Sequence, residues 1–244
     1  MQYKYETHLH TKEASACSFN TGAELVRAAK EAGYAGIMVT DHHWGGNTAI
    51  SRDLPWEDFV EQFCKGYENA KEEGDKIGLD VFFGWESGYQ GTEFLIYGLD
   101  KAWMLQHPEL KEISIEEQYE LVSKSGGMVI HAHPYREEWY IPEIRIYPEY
   151  VDAVEAINAA HSNPLSGAHF NPEYNRLAIE EYAKKYNLPV TAGSDVHSTV
   201  FIGGGIYFDE PLKDIQDYMT RVKNRNWTAI TDGVDNWNTD LEKI

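Results

Sequence analysis

Thr21-Gly22-Ala23-Glu24-Leu25-Val26-Arg27-Ala28-Ala29-Lys30-Glu31-Ala32-Gly33 is followed three residues later by Ile37-Met38-Val39-Thr40. The first stretch reads as a helix: Thr21 can cap it, Glu24 stands where a capping box needs it, and Gly33 closes it. The second is a short apolar run of strand type that stops at Asp41-His42-His43. A capped helix feeding a buried strand is the unit from which α/β folds are built.

The same alternation runs outward in both directions. Tyr3–His8 reads as a first strand, and Trp56–Lys76 as one long helix stopped by Gly78. Val81-Phe82-Phe83 is a strand leading to Gly84-Trp85-Glu86, and Phe94–Leu99 is another. Ile115–Ser125 reads as a helix, and Met128–His131 as a strand running into Ala132-His133-Pro134. Val151–Asn158 is a strand, Tyr174–Tyr186 a helix, and Leu188–Ala192 a strand ending at Gly193-Ser194-Asp195-Val196-His197. Gly205–Phe208 reads as the last strand, with Leu212–Asn224 helical after it. Strands alternating with helices imply an α/β protein. No repeat and no compositional boundary interrupts the chain, so residues 1–244 are expected to form a single domain. Tyr135–Pro148 and Asn158–Pro172 are expected to be long loops near the site.

Composition mostly excludes. Asp and Glu total 40 against 21 Lys and Arg, a formal charge of −19. Such a surface repels long polyanions, so no long nucleic acid is expected as a partner. No apolar run reaches membrane-spanning length, the opening residues form no apolar signal region, and Cys17 and Cys64 are the only cysteines. These features predict a cytoplasmic protein with reduced thiols and no membrane partner.

Metal-ligating residue types gather where strands end. His8 and His10 flank Leu9, so an extended backbone points both imidazoles to one side. Asp41-His42, Glu86, His131 with His133, and Asp195 with His197 end four further strands. Each alone has a structural explanation, but five strand ends carrying the same chemistry make chance a poor one. In a parallel barrel those ends converge on one face. Imidazole with carboxylate suits zinc, manganese or iron.

These pieces resemble the PHP family, named for polymerase and histidinol phosphatase, and its small metal-dependent phosphoesterases. The matching segments are Glu6-Thr7-His8-Leu9-His10-Thr11, Val39-Thr40-Asp41-His42, Gly84-Trp85-Glu86, Ala132-His133-Pro134-Tyr135-Arg136, Val154-Glu155-Ala156-Ile157-Asn158 and Thr191-Ala192-Gly193-Ser194-Asp195-Val196-His197-Ser198. The resemblance implies a distorted (β/α)7 TIM-like barrel and two or three divalent ions. It implies a first metal on His8, His10, Glu86 and Asp195, a second sharing Glu86 and adding His133, and a third on His42 and His197. Relatives often carry an aspartate where Ser15 stands, which leaves Glu13 as the acidic candidate for the third metal. Relatives often place a histidine at Glu93, which can still give oxygen to the second metal. Cys17 would coordinate if it faces inward; otherwise it is a small buried residue. His131 is either a supporting donor or a core residue, and His43 is read as a loop or pocket side chain. His107 and His169 carry no motif and are expected at the surface.

The resemblance implies hydrolysis of a small phosphorylated metabolite or nucleotide by a metal-activated hydroxide. Arg136 suits paired phosphate oxygens, with a surface ion pair as the alternative. Lys12, Asn158 and His161 are further substrate-binding candidates. Asp41 or Asp195 can take a proton or orient a histidine, so Asp41, Arg136 and His197 are the candidate catalytic groups. A short-oligonucleotide exonuclease, a histidinol-phosphate or phosphotyrosine phosphatase, and a non-catalytic metal-binding regulatory domain stay open. A carbon–nitrogen hydrolase shares the His-x-His opening but would want a bridging lysine, and no strand ends on one.

Overall fold

Residues 1–234 are described by the computed structural model of the chain. Helix α1 (Gly22–Glu31) begins as its residues dictate: Thr21 accepts from the Glu24 backbone while the Glu24 carboxylate reaches back to Thr21. The stretch expected as one helix from Trp56 is two, α2 (Trp56–Phe63) and α3 (Lys65–Ile77), meeting at Cys64. Gly78 ends α3 in the left-handed conformation that glycine adopts without steric cost. The remaining helices are α4 (Lys101–Leu105), α5 (Ile115–Lys124), α6 (Glu173–Leu177), which continues as a π-helical stretch over Ala178–Lys184, and α7 (Ile215–Lys223).

The strands are β1 (Tyr3–Glu6), β2 (Gly36–Val39), β3 (Asp80–Tyr89), β4 (Thr92–Tyr97), β5 (Met128–Ala132), β6 (Ala153–Asn158), β7 (Val190–Gly193), β8 (Gly205–Phe208) and β9 (Ala229–Thr231). They form one nine-stranded sheet in the order β7-β6-β5-β4-β3-β2-β1-β8-β9. Beyond β1 and β7 the chain pairs again, Leu9 against Val196, which draws the sheet into a nearly closed barrel.

The expected barrel is there in distorted form, but its strands do not follow an exact (β/α)7 order, because β4 runs antiparallel to both β3 and β5, and β8 antiparallel to both β1 and β9. Gln90 and Gly91 both have positive φ, which turns β3 back on itself as a tight hairpin. Gly205–Phe208 is also not the last strand, since β9 follows α7.

Strand alternation sorts side chains into layers. Met38 and Leu95 point into the barrel with Tyr5, Ile130 and Phe208. Ile37, Val39 and Val81 point outward beneath Leu25 and Val26 of α1 and Ala70 of α3. Trp85 and Phe94 pack outward against Trp56, Phe59 and Phe63 of α2. Each such buried large side chain contributes about 1.5–3 kcal/mol. Among the described residues no helix is long and apolar enough to cross a membrane.

Candidate metal centre and adjoining cavity

The extension of β1 carries His8 and His10. His10 N donates to Val196 O at 2.9 Å and Val196 N to His8 O at 3.0 Å, so the segment after β7 lies beside it. That pairing brings Asp195 and His197 to the two histidines. His8 Nε2 lies 3.0 Å from His10 Nε2 and 3.2 Å from Glu86 Oε1. His10 Nε2 lies 3.1 Å from Asp195 Oδ1, and His42 Nδ1 lies 2.6 Å from Glu86 Oε2. His133 Nε2 reaches Glu86 Oε1 at 3.2 Å and Glu93 Oε2 at 3.6 Å.

Among the described residues, four overlapping groups have ligand atoms within 4.8 Å of one another: His8 with His10 and Asp195, His8 with Glu86 and His133, His42 with Glu86 and Glu93, and His10 with His42 and His197. Glu86 joins two of them. Glu93 reaches the face because β4 runs backward and so begins where its neighbours end; it pairs with Gly88 and Ala132.

His131 and His133 do not share a face, although their spacing matches that of His8 and His10. His131 pairs with Phe94 on the outer side, and its Nδ1 meets the Tyr182 hydroxyl at 3.0 Å. His133 returns to the centre because its backbone turns left-handed, with φ 28°, as does that of Asp195 with φ 54°. Non-glycine residues rarely adopt this conformation, and it recurs at functional sites.

Hydrogen bonds fix which ring nitrogens face the cluster. His8 Nδ1 pairs with Glu155 Oε1 at 2.9 Å, leaving Nε2 inward. His197 Nδ1 donates to the Asp195 carbonyl at 2.9 Å. Glu155 also accepts from His133 N at 3.0 Å and from Asn158 Nδ2 at 3.0 Å. Glu6 accepts from His8 N at 2.9 Å and Ser194 N at 2.8 Å, so it ties the two ligand segments together. Neither acid was given a role from sequence, although Glu155 stands in a recognised motif and on an inward-facing strand position.

Several candidates are placed elsewhere. Glu13 is not brought to the cluster: its carboxylate accepts from Gly22 N at the start of α1 and from Asn69 Nδ2. Lys12 is exposed. Asp41 accepts from Thr11 N at 2.6 Å, Thr11 Oγ1 at 2.7 Å and Ser15 Oγ at 2.7 Å, which locks the loop after His10. Asn158, fully buried, is committed to Glu155 and Ala160 N. His43 lines a second cavity, away from the cluster, and its buried ring packs among Trp56, Phe59, Phe63 and Trp85. His107 lies beside Glu109 near the surface. His169, expected at the surface, lines the cavity and pairs with Glu138.

Burial opposes every charge in the cluster, and neighbours decide the outcome. Burial works to raise Glu86 and Asp195, yet His8 and His42 hold Glu86, and Arg136 and His8 hold Asp195, well below the usual carboxylate range. Burial and then the Glu86 charge push Glu93 up. Burial raises Asp41 to about 6. Burial alone would raise the Cys17 thiol, but hydrogen bonding with His197 and His42 brings it down to about 7.

Beside the cluster opens a cavity of about 720 Å³, whose inner wall includes Cys17, His42, Glu93, Arg136, Asp195 and His197. The mouth carries Trp139 and Tyr140 from the long loop after β5. Arg136 is 4 % exposed and held on two sides: Nη2 lies 2.6 Å from Asp195 Oδ2, and Nε donates to His161 Nε2 at 3.2 Å. His161 Nδ1 in turn donates to Asn175 Oδ1 at 2.9 Å. His161 therefore orients Arg136 and leaves it facing the cavity.

The donor set fits divalent cations. Glu86 Oε2 and His42 Nδ1 are buried and 2.6 Å apart, yet among the described residues neither meets hydrogen-bond geometry with a partner. Buried lone pairs are rarely left so unless they are aimed at something else. The clusters thus suggest divalent metal binding without naming the ion.

Residues 172–226 match a family profile described as PHP-associated. No curated protein matches the chain. A two-domain protein of Bacteroides vulgatus, containing a predicted PHP-like metal-dependent phosphoesterase, shares the fold over 100% of this chain and 70% of its own, with 16% identity and a TM-score of 0.70. A Bifidobacterium adolescentis protein assigned as a metal-dependent phosphoesterase aligns over 95% of this chain and 96% of its own, at 17% identity and a TM-score of 0.54. An amidohydrolase of Chromobacterium violaceum, with bound sulfate and no metal, aligns over 92% of this chain and 97% of its own, at 14% identity and a TM-score of 0.52. At these identities the likeness shows the fold.

Proposed function

The PHP-associated segment and the shared fold support a PHP-family protein, and on that premise we propose that the chain is a metal-dependent phosphoesterase acting on a small phosphorylated substrate. The observation that carries the reading is the set of four overlapping ligand groups beside a cavity into which a buried arginine faces. His8, His10, Glu86 and Asp195 would hold one ion, Glu86, Glu93 and His133 a second, and His42 with His197 a third. Bound divalent cations bring the pKa of water down to about 7 and neutralise phosphate oxygens.

The chain's own groups supply the rest. Arg136 offers its remaining Nη1 donors to phosphate oxygens, and His161 and Asp195, which take Nε and Nη2, hold it in place before substrate arrives, so little side-chain freedom is lost on binding. Glu155 and the Asp195 carbonyl set the tautomers of His8 and His197. Asp41 acts at one remove, holding Thr11 and Ser15. The excess of acidic residues disfavours long nucleic acids and favours small phosphate esters.

The test is metal analysis of the purified chain, with turnover of phosphomonoesters, nucleotides, dinucleotides and an amide series before and after chelation. We expect at least two ions per chain and chelator-sensitive release of phosphate from monoesters. Metal-free protein of full activity, or turnover of amides alone, would overturn the reading.

A further inference from the structure

The cavity is larger than a phosphate group needs, and its mouth is aromatic. It encloses about 720 Å³, within the range of roughly 300–1,000 Å³ that holds whole organic ligands. Trp139 stands at its edge 93 % exposed, with Tyr140 45 % exposed beside it. The two rings meet edge to face, 5.6 Å apart between centroids, which leaves most of the indole uncovered. An aromatic surface left in water at the lip of a polar site is one that a ligand gains by covering.

Another part of the lining is bare backbone. Gly45 and Gly46, in the loop after β2, lie against Gly88 of β3: a Cβ on Gly45 would fall 2.1 Å from Gly88 O, and one on Gly88 2.9 Å from Gly46 Cα. Two segments packed this closely make a smooth wall with no side chain to displace, and the exposed amides of Asn47 and Gln90 stand beside it. Charge narrows the occupant further. Arg136 is the one lysine or arginine in the lining among the described residues, whereas Glu93, Glu138 and Asp195 are acids. Burial keeps His169, which lies 2.9 Å from Glu138, below the ordinary imidazole range, so at neutral pH it brings no lasting positive charge to the mouth. One phosphate group is provided for at the inner wall, and a second anion further out would meet Glu138.

We propose, on the phosphoesterase reading, that the substrate is a monophosphate ester whose alcohol carries a flat, uncharged ring, a nucleoside monophosphate by class. The phosphate lies toward the cluster and Arg136, the ring against Trp139 and Tyr140, and a sugar between them suits the separation of inner wall from mouth. Water gives its hydroxyl to phosphorus and its other proton to the leaving ester oxygen, so the products are the nucleoside and inorganic phosphate.

The test compares three substrates on the metal-loaded full chain: AMP, ribose phosphate, which lacks the ring, and a nucleoside bisphosphate, which adds a second phosphate on the ribose. The wild type should favour AMP over ribose phosphate by about tenfold or more in kcat/KM, mainly through KM, the order that stacking of a base on an aromatic side chain supplies. The bisphosphate should be the poorer nucleotide. Trp139→Ala should cut the ratio of AMP to ribose phosphate about tenfold, and Trp139→Phe should keep most of it. A second readout needs no turnover: adenosine added to chelated protein should quench indole fluorescence more in the wild type than in Trp139→Ala. Equal kcat/KM for AMP and ribose phosphate, a ratio or a quench unmoved by Trp139→Ala, or a preference for the bisphosphate would overturn the assignment and leave the hydrolase reading standing. A metal-loaded chain that releases phosphate from no monoester would overturn both.

Discussion

Arg136 shows how much of the site depends on single side chains held from behind. Its Nη2 and Nε are clamped by Asp195 and His161, so only a planar forked guanidinium can hold both and still present Nη1 to the cavity. Arg136→Lys keeps the charge but loses the fork, so kcat/KM for a phosphomonoester should fall about 10–100-fold with metal content unchanged. Steady-state kinetics beside metal analysis checks this. His43 makes a different prediction, about stability. Burial depresses its pKa to about 3, so the folded protein holds it neutral while the unfolded chain, with an ordinary imidazole pKa of 6.5, takes up a proton. Its contribution is therefore intact above pH 6.5 and is lost as pH falls toward 3, at up to about 1.4 kcal/mol per pH unit. Because His43 Nε2 has no partner, His43→Phe should flatten that acid limb in chelated protein. Urea melts between pH 4 and 7 would show it; parallel limbs for the two proteins would refute it.

At the level of elements, ligands are delivered by backbone geometry more than by strand ends as such. A Cβ on Gly193, at the end of β7, would lie 2.5 Å from His8 Cβ and 2.9 Å from Glu155 Oε1. Gly193→Ala should destabilise the fold by roughly 1–3 kcal/mol and lower metal affinity, because His8 must give way. Thermal melts and metal titration test both effects. Much of this layer could be read from sequence: the capping box at Thr21 formed, and histidines and acids do gather at strand ends. What could not be read follows from the same geometry. The left-handed turn at His133 has no glycine or asparagine to announce it, so the residues alone leave open whether His131 supports the centre or sits in the core. The tight turn at Gln90-Gly91 did carry its glycine, but a parallel barrel was the simpler pattern, and only pairing of β4 with both neighbours shows why Glu93 faces inward. Glu13 was weighed by residue type, whereas the path of the loop turns its carboxylate to Gly22 and Asn69.

Across the whole molecule, the formal charge of −19 overstates the repulsion once cations sit among Glu86, Glu93 and Asp195. Chelation should therefore lower the melting temperature as well as abolish turnover. A ligand present at 100 times its dissociation constant stabilises the folded state by about 2.7 kcal/mol. Calorimetry with and without chelator measures the difference, and identical melts would argue against occupied sites. The pairing of Leu9 with Val196 also has a consequence for biosynthesis. As the ribosome delivers the chain, His8 and His10 emerge early, yet their partners Asp195 and His197 come only after most of the sheet exists. Contacts this distant along the chain are slow to form, because the intervening loop must first be closed at an entropic cost. Native metal uptake should then trail the appearance of helix during refolding, and a metallochromic dye followed beside circular dichroism would time the lag. A nascent chain stalled before β7 would hold only half a ligand set, too few donors to keep a cation tightly, so the order of synthesis should defer the choice of metal until the last strands arrive.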